Sequence, residues 1–282
     1  MNAKTSIARL SVLSNTLLIV MKLIVGIISG SVSIISEAIH SSMDLLAAVI
    51  AFFAVRVSDV PPDQGHPYGH GKVENISGVI EAILIFIAAL LIIVKAIKKF
   101  FGEPIELESI WLGALVMFVS AVVNTIVSRR LYKVARETNS VALEADALHL
   151  KTDVYTSIGV AAGLSLIMLT GIKWFDPVIA ILVALFIIRE SFILLKKAFF
   201  PLLDSSWRDE EVKELENKLI KMNVNYHDLR TRVAGNYRFI DVHVEIPENE
   251  SVGNAHNYCD RIEDELKSTY SNLTVTIHVE PS

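Results

Sequence analysis

Residues 31–55 read SVSIISEAIHSSMDLLAAVIAFFAV, and residues 142–164 read ALEADALHLKTDVYTSIGVAAGL. Each stretch is predicted to form a helix long and apolar enough to cross a bilayer. Each also carries the same polar pair, His40 with Asp44 and His149 with Asp153. Four residues is about one helical turn, so imidazole and carboxylate share a face within each helix. Ionisable groups at membrane depth are costly, and they turn toward a protein interior where they serve a purpose. Two copies of His-x-x-x-Asp supply two imidazoles and two carboxylates, a full tetrahedral shell for a divalent metal such as Zn2+. The plainer alternative is that His40 and His149 only hydrogen-bond between helices. That explains one polar residue in one span more readily than the same motif twice.

The surrounding composition is that of a membrane protein. Apolar residues make up 52% of the 282, and the mean hydropathy is +0.48. Six spans are predicted, at about 8–30, 33–57, 74–96, 109–130, 143–170 and 176–197. A stretch of about 20 residues suffices for roughly 30 Å of hydrocarbon. Met1 to Arg9 is short and polar, and no small-residue cleavage site precedes the first span, so no cleavable signal is expected. With the N-terminus inside, the inner side collects ten Lys and Arg (Lys4, Arg9, Arg56, Lys72, Arg129, Arg130, Lys133, Arg136, Lys196, Lys197). The outer side has four, Lys95, Lys98, Lys99 and Lys173. That bias places both termini in the cytosol, although the cluster from Lys95 to Lys99 runs against it.

After Pro201 the long apolar runs stop. Two domains are expected, residues 1–203 in the membrane and 204–282 in the cytosol. The second holds sixteen Asp/Glu against nine Lys/Arg, a net of −7, while the whole chain is −5. An acidic tail suits cation capture and excludes nucleic acid, which demands a basic surface. Its pattern reads helix (Asp209–Met222), strands (Leu229–Val233 and Tyr237–Ile246) around Ala234-Gly235-Asn236, helix (Asn254–Tyr270) and strand (Leu273–Val279). In the second strand Phe239, Asp241, His243 and Glu245 alternate with Ile240, Val242, Val244 and Ile246, predicting one polar face on a small open-faced α/β sandwich. The single Cys259 makes no intrachain disulfide; it fits a reducing compartment and packs as a small apolar residue.

Two further clusters of metal-binding side chains stand out. The loop after the second span, PPDQGHPYGHGK from Pro61 to Lys72, holds Asp63, His66 and His70. Its prolines and glycines break a helix, so backbone curvature would have to bring those three together. In the tail, His227, His243, His256, His278 and Glu280 form the third candidate. For both clusters, solvated surface histidines are the competing reading. Glu37 and Asp146, each three residues before a motif histidine, are read either as outer acceptors or as residues facing water.

The arrangement resembles the cation diffusion facilitator family across nearly the whole chain. The resemblance is carried by Gly30-Ser31-Val32-Ser33-Ile34 before His40-x-x-x-Asp44, by His66-Pro67-Tyr68-Gly69-His70-Gly71-Lys72-x-Glu74, and by Ala147-Leu148-His149-x-x-x-Asp153. Pro201-Leu202-Leu203-Asp204 then leads into the tail. The resemblance implies an α-helical membrane protein of six transmembrane helices with a C-terminal, metallochaperone-like α/β domain of ferredoxin-like type. It implies a homodimer exchanging divalent metal for protons, with His40, Asp44, His149 and Asp153 as transport site. Asp63, His66 and His70 would match a loop site, and the tail residues a cytosolic dimer-interface site, where relatives carry Asp in place of Glu280. Lys72 and Asp204 would form an ion pair that helps to hold the dimer. His in place of a second Asp in span two goes with zinc in that family, since losing an anionic ligand disfavours hard Mn2+.

The expected function is therefore proton-coupled export of Zn2+ from the cytosol, with Cd2+, Co2+, Fe2+ or Mn2+ as alternative substrates, and the expected location is the cell (inner) membrane. Metal needs neutral imidazole and ionised carboxylate, so metal and protons compete for the same atoms. A reference imidazole value of about 6.5 puts that exchange within ordinary pH gradients. The rival readings are a membrane metalloenzyme and a membrane-tethered metal sensor. No His-Glu-x-x-His occurs, which counts against the first. Flux in vesicles separates out the second.

Overall fold

A computed structural model describes residues 3–29, 32–100, 110–171 and 174–282. Within these, the side chains at 29, 32, 33, 36, 37, 40, 99, 110–114, 160, 163–165, 167, 168 and 176 are outside the description. The expectations placed on Gly30, Ser31 and Lys173, and on the side chains of Glu37, His40 and Lys99, therefore fall outside the described residues.

Six long helices come first: α1 (Ala3–Ser29), α2 (Val32–Ser58), α3 (Lys72–Phe100), α4 (Ile110–Thr138), α5 (Val141–Thr170) and α6 (Phe175–Phe199). Among the described residues, stretches of α1, α2, α3, α4 and α6 are long and apolar enough by themselves to cross a bilayer. The first half of α5 carries Glu144, Asp146, His149, Lys151 and Asp153. That half is jacketed by protein. From Val141 to Leu150 every residue except Glu144 is buried, and α5 packs against α2, α3, α4 and α6. Outward positions on the other helices are apolar and exposed, such as Leu17 at 68%, Ile28 at 82% and Phe118 at 67%. A water-soluble fold would not leave so much contiguous apolar surface uncovered.

Two apolar clusters hold these helices together. One joins Ile7 and Ala8 of α1, Ala54 and Val55 of α2, Val127 and Leu131 of α4, and Leu143, Ala147 and Leu150 of α5. The other joins Ala82, Ile85 and Ala89 of α3 to Ala145 and Leu148 of α5 and Ile187 and Leu194 of α6. Small residues allow the close crossings. A Cβ on Gly78 would stand 2.8 Å from Val141 Cγ1 and 3.1 Å from the Ala198 Cβ.

Four helix ends on one side meet in a buried ionic knot. Lys4 Nζ lies 2.9 Å from Glu74 Oε1 and 2.6 Å from Asp59 Oδ1, and Ser58 Oγ donates to Glu74 Oε1 at 2.8 Å. The Ser140 hydroxyl donates to the other Glu74 oxygen. Ser140 also caps α5, its Oγ accepting from Leu143 N at 3.3 Å. Asn139 before it takes a left-handed φ of 51°, which ends α4 and turns the chain. Lys4, counted from sequence among the ten inner-side charges, is 2% exposed.

Chain contacts divide the molecule into Met1–Phe199 and Phe200–Ser282. The second unit opens with a short 3-10 turn, followed by α7 (Asp209–Lys221), β1 (Tyr226–Ala234), β2 (Tyr237–Ile246), α8 (Val252–Thr269) and β3 (Leu273–Pro281). The sheet order is β1-β2-β3, with β1 antiparallel and β3 parallel to β2. A parallel neighbour requires a crossover, which α8 supplies. Leu215 and Leu219 of α7, Ile240, Val242 and Val244 of β2, and Ile262 and Leu266 of α8 pack with Trp207 into one core. Both helices thus cover one face of the sheet and the other stays open.

Two details differ from the sequence reading. β1 starts at Tyr226, not Leu229, because a bulge between His227 and Arg230, with Asp228 at φ 48°, carries the pairing past the irregular stretch. Phe239 shares the polar face yet is buried, since the Arg232 guanidinium sits 3.9 Å over its ring.

Candidate metal centre

The intramembrane cluster is assembled by α2 and α5. His149 Nε2 lies 3.0 Å from Asp44 Oδ1, both residues being buried. One ligand atom from each of Asp44, His149 and Asp153 lies within 4.8 Å of the others. His40 occupies α2 one turn before Asp44, with its side chain outside the described residues. Hydroxyl groups quiet the backbone here: Thr152 donates to the His149 carbonyl, and Thr156 and Ser157 donate to that of Asp153. A borderline imidazole with two hard carboxylates is a donor set for a first-row divalent metal.

Polar residues outside the two His-x-x-x-Asp motifs surround this cluster. Asn124 of α4 points Nδ2 at Asp153 Oδ2 from 3.5 Å. Lys22 of α1 donates to Ser41 Oγ at 2.7 Å, beside His40 in sequence. Glu81 of α3 and Asp146 are both fully buried, and neither Asp146 oxygen finds a hydrogen-bond partner among the described residues. Asp146 is thus an interior group, which removes the reading that it faces water. The available signal was a polar residue inside an apolar span, as in LVMFVSAVVNTIVS at 115–128. Spacing alone did not say which neighbour it would meet.

The loop cluster closes as curvature would require. His66 N donates to Asp63 Oδ1 at 2.6 Å, His66 Nδ1 stands 3.3 Å from the same oxygen, and His70 Nε2 stands 3.5 Å from Asp63 Oδ2. Gly69, at φ 82°, makes the turn that brings the two rings to 4.4 Å between centroids. The His66 backbone N–H holds the Asp63 carboxyl below the usual carboxylate range, so this exposed group stays anionic and available to a cation.

In the tail, sheet register does the assembly. His227 pairs with His243, and His243 pairs with His278, so three histidines stand in a row across β1, β2 and β3; Glu245 stands opposite Glu280. His243 Nδ1 lies 2.9 Å and His227 Nε2 3.2 Å from the two Glu280 oxygens. His278 Nε2 is 3.6 Å from Glu280 Oε1. Glu245, expected on this polar face, lies 3.3 Å from His227 Nδ1, and Asp228, which was not anticipated, lies 3.8 Å from His243 Nε2. His256 is not part of the row. It sits on α8, exposed, with Nε2 3.5 Å from its own helix neighbour Asp260.

The chain also aligns with known proteins. The family description "Cation efflux transmembrane domain" matches residues 8–203, and "Cation efflux protein, cytoplasmic domain" matches residues 207–282. Among curated relatives, the uncharacterized transporter sll1263 of Synechocystis is 34% identical over 90% of this chain and 83% of its own. The cation-efflux pump FieF of Shewanella oneidensis is 32% identical over 97% and 93%. The manganese efflux system protein MneP of Bacillus subtilis is 27% identical over 98% and 95%.

Proposed function

Because the chain belongs to the cation diffusion facilitator family, and is thus a multi-pass divalent cation efflux transporter rather than an enzyme, we propose that it exports Zn2+ from the cytosol in exchange for protons. The transport site in this reading is His40, Asp44, His149 and Asp153. The observation that carries it is the 3.0 Å approach of His149 to Asp44 from different helices, with Asp153 beside them. Helix α5 brings two of the four residues, and it is the helix whose polar half is enclosed by protein.

The chemistry follows from the donor atoms. A divalent ion takes a lone pair from His149 and an oxygen from each carboxylate, displacing the His149–Asp44 hydrogen bond. Protons arriving from the other side take up the same lone pairs and restore that bond as the ion leaves. One set of atoms holds either cargo, so exchange needs no second pathway. Alternating access around this fixed point then moves the two in opposite directions. Zn2+ is favoured over Mn2+ by imidazole ligation. The relative named for manganese shares the family and makes that preference a point to test.

We further assign residues 1–203 to transport and 204–282 to cytosolic metal binding, in a homodimer lying in the cell membrane with both termini in the cytosol. The open histidine row of the tail and the Asp63–His66–His70 loop are its accessory metal sites. Zinc flux into proteoliposomes, recorded with internal pH for wild type and Asp153→Ala, tests the central claim. Coupled zinc and proton movement in wild type, absent in the variant, supports it; equal flux in both proteins sinks it.

A further inference from the structure

We infer that the buried Lys4–Glu74 pair is a reversible latch closing the way from the cytosol to the transport site, an inference that rests on the site and topology readings above. Glu74 opens α3 and takes its donors from three other elements: Lys4 of α1, Ser58 of α2 and Ser140 at the head of α5. Asp59, just past α2, adds a second carboxylate 2.6 Å from Lys4 Nζ. Further in, the same α2 and α5 bring Asp44 against His149. Ser58 follows Asp44 by 14 residues, about 21 Å of helix, and Ser140 precedes His149 by nine. Between Ser58 and Asp44, on one face of α2, Ala47, Ala51 and Val55 are each 0% exposed. Val55 packs there with Leu143 and Ala147 of α5. An ion travelling between α2 and α5 from the cytosol must part the helix ends that the knot ties.

An ion pair suits a closure that has to open in every cycle. Burial takes both charges out of water, and their attraction roughly offsets that loss, so the pair adds little net stability. When the ends part, water hydrates the ammonium and the carboxylate, and the open state regains what burial removed. Two apolar side chains in the same place would hold the ends shut, because parting them exposes apolar surface to water. Glu74 without Lys4 acts in the opposite sense, since its charge then favours the hydrated, open state.

The test reads opening without any metal. In full-length protein carrying Cys259→Ser, Ala51→Cys puts one thiol on the closed stretch of α2, and its rate of maleimide labelling in detergent reports how often water enters. Against the parent with Lys4 and Glu74 intact, Lys4→Met should label on the order of tenfold faster and Lys4→Met/Glu74→Met on the order of tenfold slower. Lys4→Arg, which keeps the charge, should label as the parent does. Zinc uptake by the double variant in proteoliposomes should fall to a similar extent, through kcat rather than KM, because opening becomes limiting. A knot that only holds the fold together would make labelling follow stability. Labelling would then be fast in Lys4→Met and back at the parent rate in the double variant, with parental flux, and that result overturns the latch. If Lys4→Met does not fold, the double variant decides together with Ser140→Ala, which removes one tie and should label faster. Asp153→Ala should abolish flux and leave labelling unchanged. Undiminished flux in Asp153→Ala sinks the transport-site reading, while the labelling series still decides whether the pair closes this path.

Discussion

His149 and Asp44, 105 residues apart, meet at 3.0 Å through Nε2 and Oδ1 in the interior of the helical unit. Each would be a poor neighbour for lipid by itself, and together they form a hydrogen-bonded pair. Replacing Asp44 by Ala removes the partner of a buried imidazole and, in the proposed transport site, one metal ligand. Zinc flux should fall by roughly 100-fold or more, about 2.7 kcal/mol at the site. Zinc binding by the tail should persist, read by calorimetry on the same preparation. Retained flux in Asp44→Ala would remove Asp44 from the site.

The knot around Glu74 predicts an asymmetry between single and double variants. Lys4 is 2% exposed and Glu74 fully buried, so Lys4→Met leaves a carboxylate without its cation. Such a break costs about 3–5 kcal/mol, whereas replacing both partners by apolar groups is often neutral. Thermal unfolding in detergent should show a large loss for Lys4→Met and substantial recovery in Lys4→Met/Glu74→Met. An unaltered melting temperature in the single variant would mean that the pair contributes nothing.

Acid should loosen the tail through one residue in particular. Arg208, 3.2 Å away, and Arg238, 2.7 Å away, hold the Glu211 carboxyl down at about 2. A carboxyl whose value drops on folding adds stability above its unfolded value of 4.5, and that stability is lost as pH falls toward 2. Trp207, whose ring centroid is 5.1 Å from that of Tyr270, reports on this core. In a full-length background without the other two tryptophans, its fluorescence should show tail unfolding over that window. Glu211→Gln should flatten the pH dependence, and a curve identical to wild type would count against the ion pairs.

Within the tail, the structure separates histidines that the sequence grouped together. His243→Ala should weaken tail zinc binding by about 100-fold, since His243 stands between His227 and His278 on the open face. His256→Ala should leave it unchanged, because His256 lies on α8 against Asp260. Zinc titration of full-length Asp153→Ala carrying either substitution distinguishes the two. Loss of affinity in His256→Ala would show that this residue reaches the ion by a route other than the sheet face.

Much of the architecture was legible because it depends on periodicity. Apolar runs of about 20 residues announce spans, alternation announces strands, and a four-residue repeat places His149 and Asp153 on one helix face. Where legibility failed, a long-range pairing had intervened. The bulge at His227 draws three extra residues into β1 and brings that histidine opposite His243. Asn124 reads as one polar residue in an apolar run until α4 is laid against α5.

The residue pattern by itself determined the family, the helical membrane unit, the acidic α/β tail and the grouping of polar residues on which the proposed metal sites rest. These follow from local spacing and composition, which every chain carries in one dimension. Only the tertiary structure decided that Asp44 meets His149, that α5 is shielded by protein at its polar half, and that His227, His243 and His278 line up while His256 does not. Helix packing and strand register are set by many weak contacts summed over distant segments, and no short stretch of sequence contains that sum.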